Sequence, residues 1–149
     1  MLASELVARG HSVRATTRRP ERLAAIEAAG AEAVVGDPDR VATLMGVLEH
    51  VSVAFVLLGS AAGSNEQLRA LHGTRLEMLL TRVLDSPVRG VLYETRGSVP
   101  APVLRAGGHV VRFRCERSRI PYALLEAAPS PVNGWARSAA DAVERLLAG

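Results

Sequence analysis

Apolar positions along the chain switch between a helical period and a strand period. In MLASELVAR, Leu2, Leu6 and Val7 share one helical face, and Gly10 follows where a C-cap would sit. His11–Thr17 (HSVRATT) has the β-branched content of a strand, and Pro20 then opens PERLAAIEAAG, with Leu23, Ile26 and a closing Gly30. The unit repeats. AEAVVG predicts a short buried strand, DPDRVATLMGVLEH a helix capped by Asp37 with Pro38 in its first turn, and VSVAFVLLG a strong strand.

From Ser64, SNEQLRALHGTRLEMLLTRVLDS sets Leu68, Leu71, Leu76, Leu79, Leu80 and Val83 on a broad apolar face interrupted only by Gly73, which predicts one long crossover helix. VRGVLY (from Val88) and PYALLEA (near residue 121) predict two more strands, and a final helix runs from about Asn133 to Leu147. Between Pro100 and Ile120 two periods compete. Val111, Phe113 and Cys115 alternate with Arg112, Arg114 and Glu116 as in a strand, whereas Val103, Gly107, Val110 and Arg114 keep helical spacing. A right-handed crossover between parallel strands needs a helix there, and helix is the expectation. Strands near residues 12–16, 32–35, 52–58, 88–93 and 122–126, alternating with helices, predict an α/β fold: a parallel sheet with helices on both faces.

Composition narrows the function classes. At 149 residues the chain fits a single domain, and 48% hydrophobic with 22% charged residues excludes a disordered linker. The longest apolar run, Val51–Leu58 with Ser52 inside it, is far short of the ~20 residues of a membrane-spanning helix. No export signal opens the chain, so the cytoplasm is the expected compartment and no membrane partner is expected. One cysteine, Cys115, and four scattered histidines give no metal-ligand spacing. All 18 basic residues are arginine. Without lysine, a P-loop, a Schiff-base mechanism and a Tyr-x-x-x-Lys dyad are excluded by their usual routes. A net charge of +3, with arginines spread along the chain and no aromatic interleaving, predicts no nucleic-acid partner.

In an open parallel sheet, ligands bind at the carboxyl ends of the strands. Those ends carry Thr16-Thr17-Arg18-Arg19, then Gly36-Asp37-Pro38, then Leu58-Gly59-Ser60-Ala61-Ala62, then Glu94-Thr95-Arg96. A strand-end glutamate such as Glu94 is expected at the surface or beside an arginine, His11 as a turn residue after the capping Gly10, and His50, His72 and His109 as surface or satisfied histidines.

The ordered series GHSVRATTRRPERL, GAEAVVGDPDRVATLMGVLEHVSVAFVLLG, a long helix and VRGVLYE resembles the atypical and extended short-chain dehydrogenase/reductases, nearest the NmrA-like NAD(P)-binding proteins, over most of residues 1–95. The resemblance implies a Rossmann-like sheet and an NAD(P)-binding function. Such proteins open with a strand and a Gly-x-x-Gly-x-x-Gly turn that holds the cofactor pyrophosphate, and this chain lacks both. By the resemblance it is N-terminally truncated, with a gap between the strand at Val13 and the strand at Val53, and the exposed edges imply poor solubility or strand-mediated self-association.

The same resemblance makes Thr17, Arg18, Arg19, Asp37, Pro38, Leu58, Gly59 and Ser60 the candidate cofactor-binding residues. Two guanidiniums where NAD-selective members carry an acid imply NADP over NAD, given a restored pyrophosphate turn. Asp37 resembles the aspartate that faces the adenine amino group. The family's catalytic tyrosine and lysine have no counterpart: Gly97 stands four residues after Tyr93 and Glu126 four after Tyr122. The function implied is an NADP(H)-using oxidoreductase acting on a small molecule the sequence does not name; a non-catalytic dinucleotide sensor and a remnant that binds no cofactor are the alternatives.

Overall fold

The computed structural model describes all of residues 1–149. The order is α1 (Leu2–Ala8), β1 (Arg14–Thr17), a 3₁₀ turn (Pro20–Arg22), α2 (Leu23–Ala28), β2 (Glu32–Val35), a 3₁₀ helix (Val41–Leu48), β3 (Val53–Val56), α3 (Asn65–Ala70), a π-helical turn (Leu71–Arg75), α4 (Leu76–Leu84), β4 (Gly90–Glu94), α5 (Ala101–Ser118), β5 (Tyr122–Leu125) and α6 (Val132–Ala148). Every strand pair is parallel, and helices cover both faces of the larger sheet, as the alternation of periods predicts.

The sheet is divided. β1 pairs with β2 alone, and β3, β4 and β5 form a separate ladder in that order. The gap falls between β1 and β3, where the family resemblance implies it. Arg14 spans the division, and Arg9 fastens α1 to α6 beside it. Arg14 Nε donates to Glu32 Oε2 at 2.9 Å, while its Nη1 donates to the carbonyls of Val47 at 2.7 Å and Glu49 at 2.8 Å, tying the β1–β2 pair to the segment that leads into β3. Arg9, at the end of α1, meets Asp141 at 2.8 Å and Glu144 at 3.3 Å on α6.

All five residues of β4 are buried, and their alternation feeds the two helix layers. Leu92 packs with Leu2, Leu6 and the alanine face of α6 (Ala136, Ala139, Ala140), which lets that helix lie close to the sheet. Val91 and Tyr93 pack with Leu76, Leu80 and Val83 of α4 and with Val111 and Cys115 of α5. Burial there pushes the Cys115 thiol up to about 11.

The ambiguous segment is helical because Leu104, Gly107, Gly108, Val111 and Cys115 are buried along one face, whereas Phe113 and Arg112 of the competing alternation stay exposed. Gly107 marks its closest approach to the sheet: a Cβ there would collide with the Tyr93 hydroxyl. Arg119, in the left-handed region at φ 56°, ends the helix.

The segment after Asp37 is a 3₁₀ helix, and Asp37 does not cap an α-helix. Its carboxylate accepts from Asp39 N at 2.9 Å, and its own N–H donates to the Thr43 hydroxyl at 2.8 Å, so the chain closes a tight loop before Val41. Val41 and Leu44 are the residues this segment buries, and a spacing of three suits the three-residue turn of a 3₁₀ helix.

The long crossover helix starts at a capping box, with Gln67 N donating to Ser64 Oγ at 3.1 Å and Ser64 N donating to Gln67 Oε1 at 2.8 Å. It then widens into a π turn that aims His72 inward. His72 is 2% exposed. Its Nδ1 accepts from Tyr93 Oη at 2.7 Å and its Nε2 donates to Leu58 O at 3.0 Å, which satisfies the neutral ring at both nitrogens.

Burial lowers the His72 pKa below its ordinary value, against the raising effect of the Leu58 carbonyl. Folding therefore favours neutral His72, while the unfolded chain takes up a proton below about pH 6.5, so stability present above that value is lost as the pH falls. The denaturation midpoint should drop between about pH 7.5 and about pH 5.5, and His72→Asn should flatten the drop. The same pH slope in both proteins would show that His72 does not carry it.

Candidate functional site

The parallel strands end together on one edge, and a cavity of about 1460 Å³ runs along the gap between β1 and β3 to that edge. Thr16, Thr17 and Arg18 line it from the end of β1, Gly36, Pro38 and Asp39 from the end of β2, and Leu57, Leu58, Ala61 and Ala62 from the end of β3. Four of the eight sequence-predicted binding residues, Thr17, Arg18, Pro38 and Leu58, thus lie on the cavity wall. Arg19, Asp37, Gly59 and Ser60 are their chain neighbours just outside it.

Each strand end is fixed by a local hydrogen bond. Thr17 Oγ1 accepts from Arg19 N at 3.1 Å, which turns the chain after β1 and leaves both guanidiniums in solvent. Neither Arg18 nor Arg19 enters the ion pairs of the structure, whose cations are Arg9, His11, Arg14 and Arg75. They are unneutralised cations held at the mouth of an apolar cavity. One oxygen of Asp37 is taken by Asp39 N.

The loops after β3 and β4 are clasped together. Val99 N donates to Gly59 O at 2.9 Å, Ser98 N donates to Ser60 Oγ at 3.3 Å, and Gly59 N donates to Glu94 Oε1 at 2.8 Å. Only glycine fits where these backbones touch: a Cβ on Gly59 would strike Arg96 O, and one on Gly97 would strike Gly59 O. Glu94 is neither at the surface nor beside an arginine. It is 4% exposed, and its second oxygen accepts from Trp135 Nε1 at 2.8 Å on α6. Sequence patterning missed this role because its two donors lie 35 and 41 residues away. The GVLYE run, apolar up to its last residue, held the only hint of burial.

Neither tyrosine reaches the cavity. The Tyr93 hydroxyl is spent on His72 inside the core, where burial first and the Glu94 charge second raise its pKa. Tyr122 opens β5, and its hydroxyl donates to Glu116 Oε1 at 2.7 Å. Thr95 Oγ1 donates to Leu125 O at 3.1 Å, and no side-chain base meets Ser60 or Ser98. No group of three or more histidine, cysteine or acidic residues could hold a metal ion.

Both Glu94 oxygens accept hydrogen bonds from neutral donors. A glutamine offers one acceptor and turns an amide N–H₂ toward the other donor, so Glu94→Gln should cost about 1–3 kcal/mol of stability and shift the emission of Trp135, the one tryptophan. Unchanged stability and emission would show that the clasp is not built on this carboxylate.

The chain is similar to several solved structures. It matches the triphenylmethane reductase of Citrobacter sp. at 18% identity and a TM-score of 0.63, over 84% of this chain and 44% of that one. The same reductase complexed with NADP(H) matches at 17% identity and a TM-score of 0.62, over 84% and 44%. The protein gox2253 matches at 20% identity and a TM-score of 0.66, over 83% and 46%. The chain therefore shares their α/β fold and spans a little under half of their length. No helix is long and apolar enough to cross a membrane. No curated protein matches the sequence. Residues 1–85, more than half of the chain, match the profile of the NAD(P)H-binding family. On that match the chain is a member of the NAD(P)H-binding family.

Proposed function

We propose that the chain, acting as one domain, holds the adenosine end of NADP(H) at the carboxyl end of β1, as part of a cytoplasmic oxidoreductase for a small-molecule substrate. The observation that carries this reading is the free pair Arg18 and Arg19 on a turn pinned by Thr17, at the mouth of the cavity. A guanidinium there can take a 2′-phosphate bidentately, where a carboxylate would repel it. Pro38 and Asp37 would flank the adenine, and Leu58, Gly59 and Ser60 would lie along the riboses. When bound, the nicotinamide supplies hydride chemistry, while this chain orients it and keeps water out with the apolar wall at Leu57, Leu58 and Ala61. The reductase complexed with NADP(H) is a neighbour in fold and supports the choice of cofactor class.

A second reading, a dinucleotide sensor without catalysis, is favoured by the placement of the tyrosines: one hydroxyl is buried on His72 and the other bonds to α5. Hydride transfer to any of a panel of carbonyl and dye acceptors would reject the sensor reading.

Cofactor choice is tested by titrating NADP and NAD, together with 2′,5′-ADP and 5′-AMP, which probe the adenosine end without the pyrophosphate bridge. The compounds bearing a 2′-phosphate should bind more tightly. Arg18→Ala should weaken them about tenfold or more, a loss of at least ~1.4 kcal/mol, and leave NAD and 5′-AMP nearly unchanged. Equal losses for both classes, or a preference for NAD, would reduce the arginines to a solvated loop pair.

A further inference from the structure

Apart from the Tyr93 hydroxyl and the Cys115 thiol, the fold buries two ionisable side chains, His72 at 2% exposure and Glu94 at 4%, and both end on one peptide unit. The Leu58 carbonyl accepts from His72 Nε2 at 3.0 Å, and the Gly59 N–H of the same unit donates to Glu94 Oε1 at 2.8 Å. A carbonyl can only accept, so the ring carries its proton on Nε2. Nδ1 is then the acceptor, and the Tyr93 hydroxyl fixes that tautomer by donating to it at 2.7 Å. Trp135 Nε1 donates to the other oxygen of Glu94 at 2.8 Å, so both oxygens accept and the group serves as a carboxylate. With a donor on its carbonyl and an anion on its N–H, the unit cannot rotate without losing both bonds. Glycine makes such a clamp necessary. The close approach of Arg96 O excludes a Cβ at position 59, and the residue that fits is also the one whose backbone turns most freely. Gly59 O is held in turn by Val99 N at 2.9 Å, so three successive polar groups of the β3 exit face protein.

Resting on the reading that Leu58, Gly59 and Ser60 lie along the riboses, we propose that His72 and Glu94 are positioning residues for the dinucleotide: they hold the Leu58–Gly59 peptide with its polar groups turned into the protein, so that the β3 exit meets a ribose as an apolar ledge. Leu58 lines the cavity where the strand ends, and neither His72 nor Glu94 does, so both act through the backbone. A flipped peptide would turn its carbonyl into the cavity and set a new acceptor against the sugar hydroxyls, which would move the ribose. Stability alone does not call for this pair. A buried ion needs every partner in place, and apolar side chains of similar volume often hold a fold as well or better. What the clamp supplies, and an apolar pair could not, is one orientation of a glycine peptide at the edge where such a sheet receives its ligand. Because the riboses are common to NADP and NAD, the clamp raises the affinity for both, whereas Arg18 separates them.

NADPH and NADH, titrated into the 149-residue chain by calorimetry, test the clamp. His72→Leu and Glu94→Gln should each weaken both dinucleotides about tenfold or more, ~1.4 kcal/mol, and by the same factor, so that the ratio of the two affinities stays that of the unchanged chain. His72→Gln keeps an N–H that can reach the Leu58 carbonyl, and it should bind within about threefold of the unchanged chain. Should the variants unfold, NADPH added to the unchanged chain should move the Leu58 methyl resonances while the Gly59 amide stays protected from exchange. Four results would overturn the proposal: full-strength binding by His72→Leu and Glu94→Gln, an altered ratio of the two affinities, a His72→Gln variant as weak as His72→Leu, or saturation with NADPH that leaves the Leu58 methyls unmoved. Full-strength binding by these variants, with 2′-phosphate preference lost in Arg18→Ala, would reject the clamp and leave the cofactor reading standing. An unchanged chain that binds neither dinucleotide would reject that reading and the clamp with it.

Discussion

The guanidinium of Arg14 is what relates the two halves of this molecule. Without a ladder between β1 and β3, no repeating hydrogen-bond pattern sets the position of the β1–β2 pair, and one planar cation with three acceptors does so instead: Glu32 within the pair, and the Val47 and Glu49 carbonyls beyond it. A compact ammonium on a flexible stem could not span these acceptors in fixed geometry, whereas the rigid fork of arginine can. Bonds from a charged donor to backbone carbonyls are worth about 1.5–3 kcal/mol, more than the ~0–1 kcal/mol of an exposed ion pair. The Val47 contact is half-buried and the other two are exposed, so Arg14 orients the small pair more than it stabilises the whole. Arg9 acts in the same way between α1 and α6.

The larger half is held differently. β4 is buried throughout, and everything that gives the cavity edge its shape descends from it: Tyr93 anchors the π turn through His72, His72 grips Leu58 at the end of β3, and Glu94 grips Gly59 one residue on. Two consecutive residues of β4 therefore hold two consecutive residues of the β3 exit, one through the α4 layer and one through the edge loop. The far wall of the cavity is thus braced at two consecutive residues, whereas its near wall is a two-stranded pair tethered by Arg14. Binding energy from a dinucleotide's adenosine end would be spent partly on fixing that near wall.

Most of the architecture was legible in the sequence because burial on two faces writes near-continuous apolar runs: VSVAFVLL and GVLYE are strands by composition alone, whereas the division of the sheet was expected only from the family resemblance. Segment 100–120 was ambiguous because Arg112, Phe113 and Arg114 mimic alternation; the helical period wins because Leu104, Gly107, Val111 and Cys115 share the buried face, with Gly107 against Tyr93. The start of the 3₁₀ segment 41–48 is tied by the Thr43 hydroxyl, a side chain with no periodic signature. Asp37, Glu94 and His72 show the same limit from the site's side. Their types and strand ends were visible, but their partners lie across the fold, and a polar residue's task is set by those partners.

Cys115 has a further use. It is the only thiol, wholly buried between α5 and the sheet, and its raised pKa keeps it protonated at neutral pH. Because no residue of β1 or β2 packs in its cluster, loosening of that pair should leave it covered, and a thiol reagent should reach it only when the β3–β4–β5 core opens. The chain thus carries its own clock for global opening, separate from the breathing of its tethered edge.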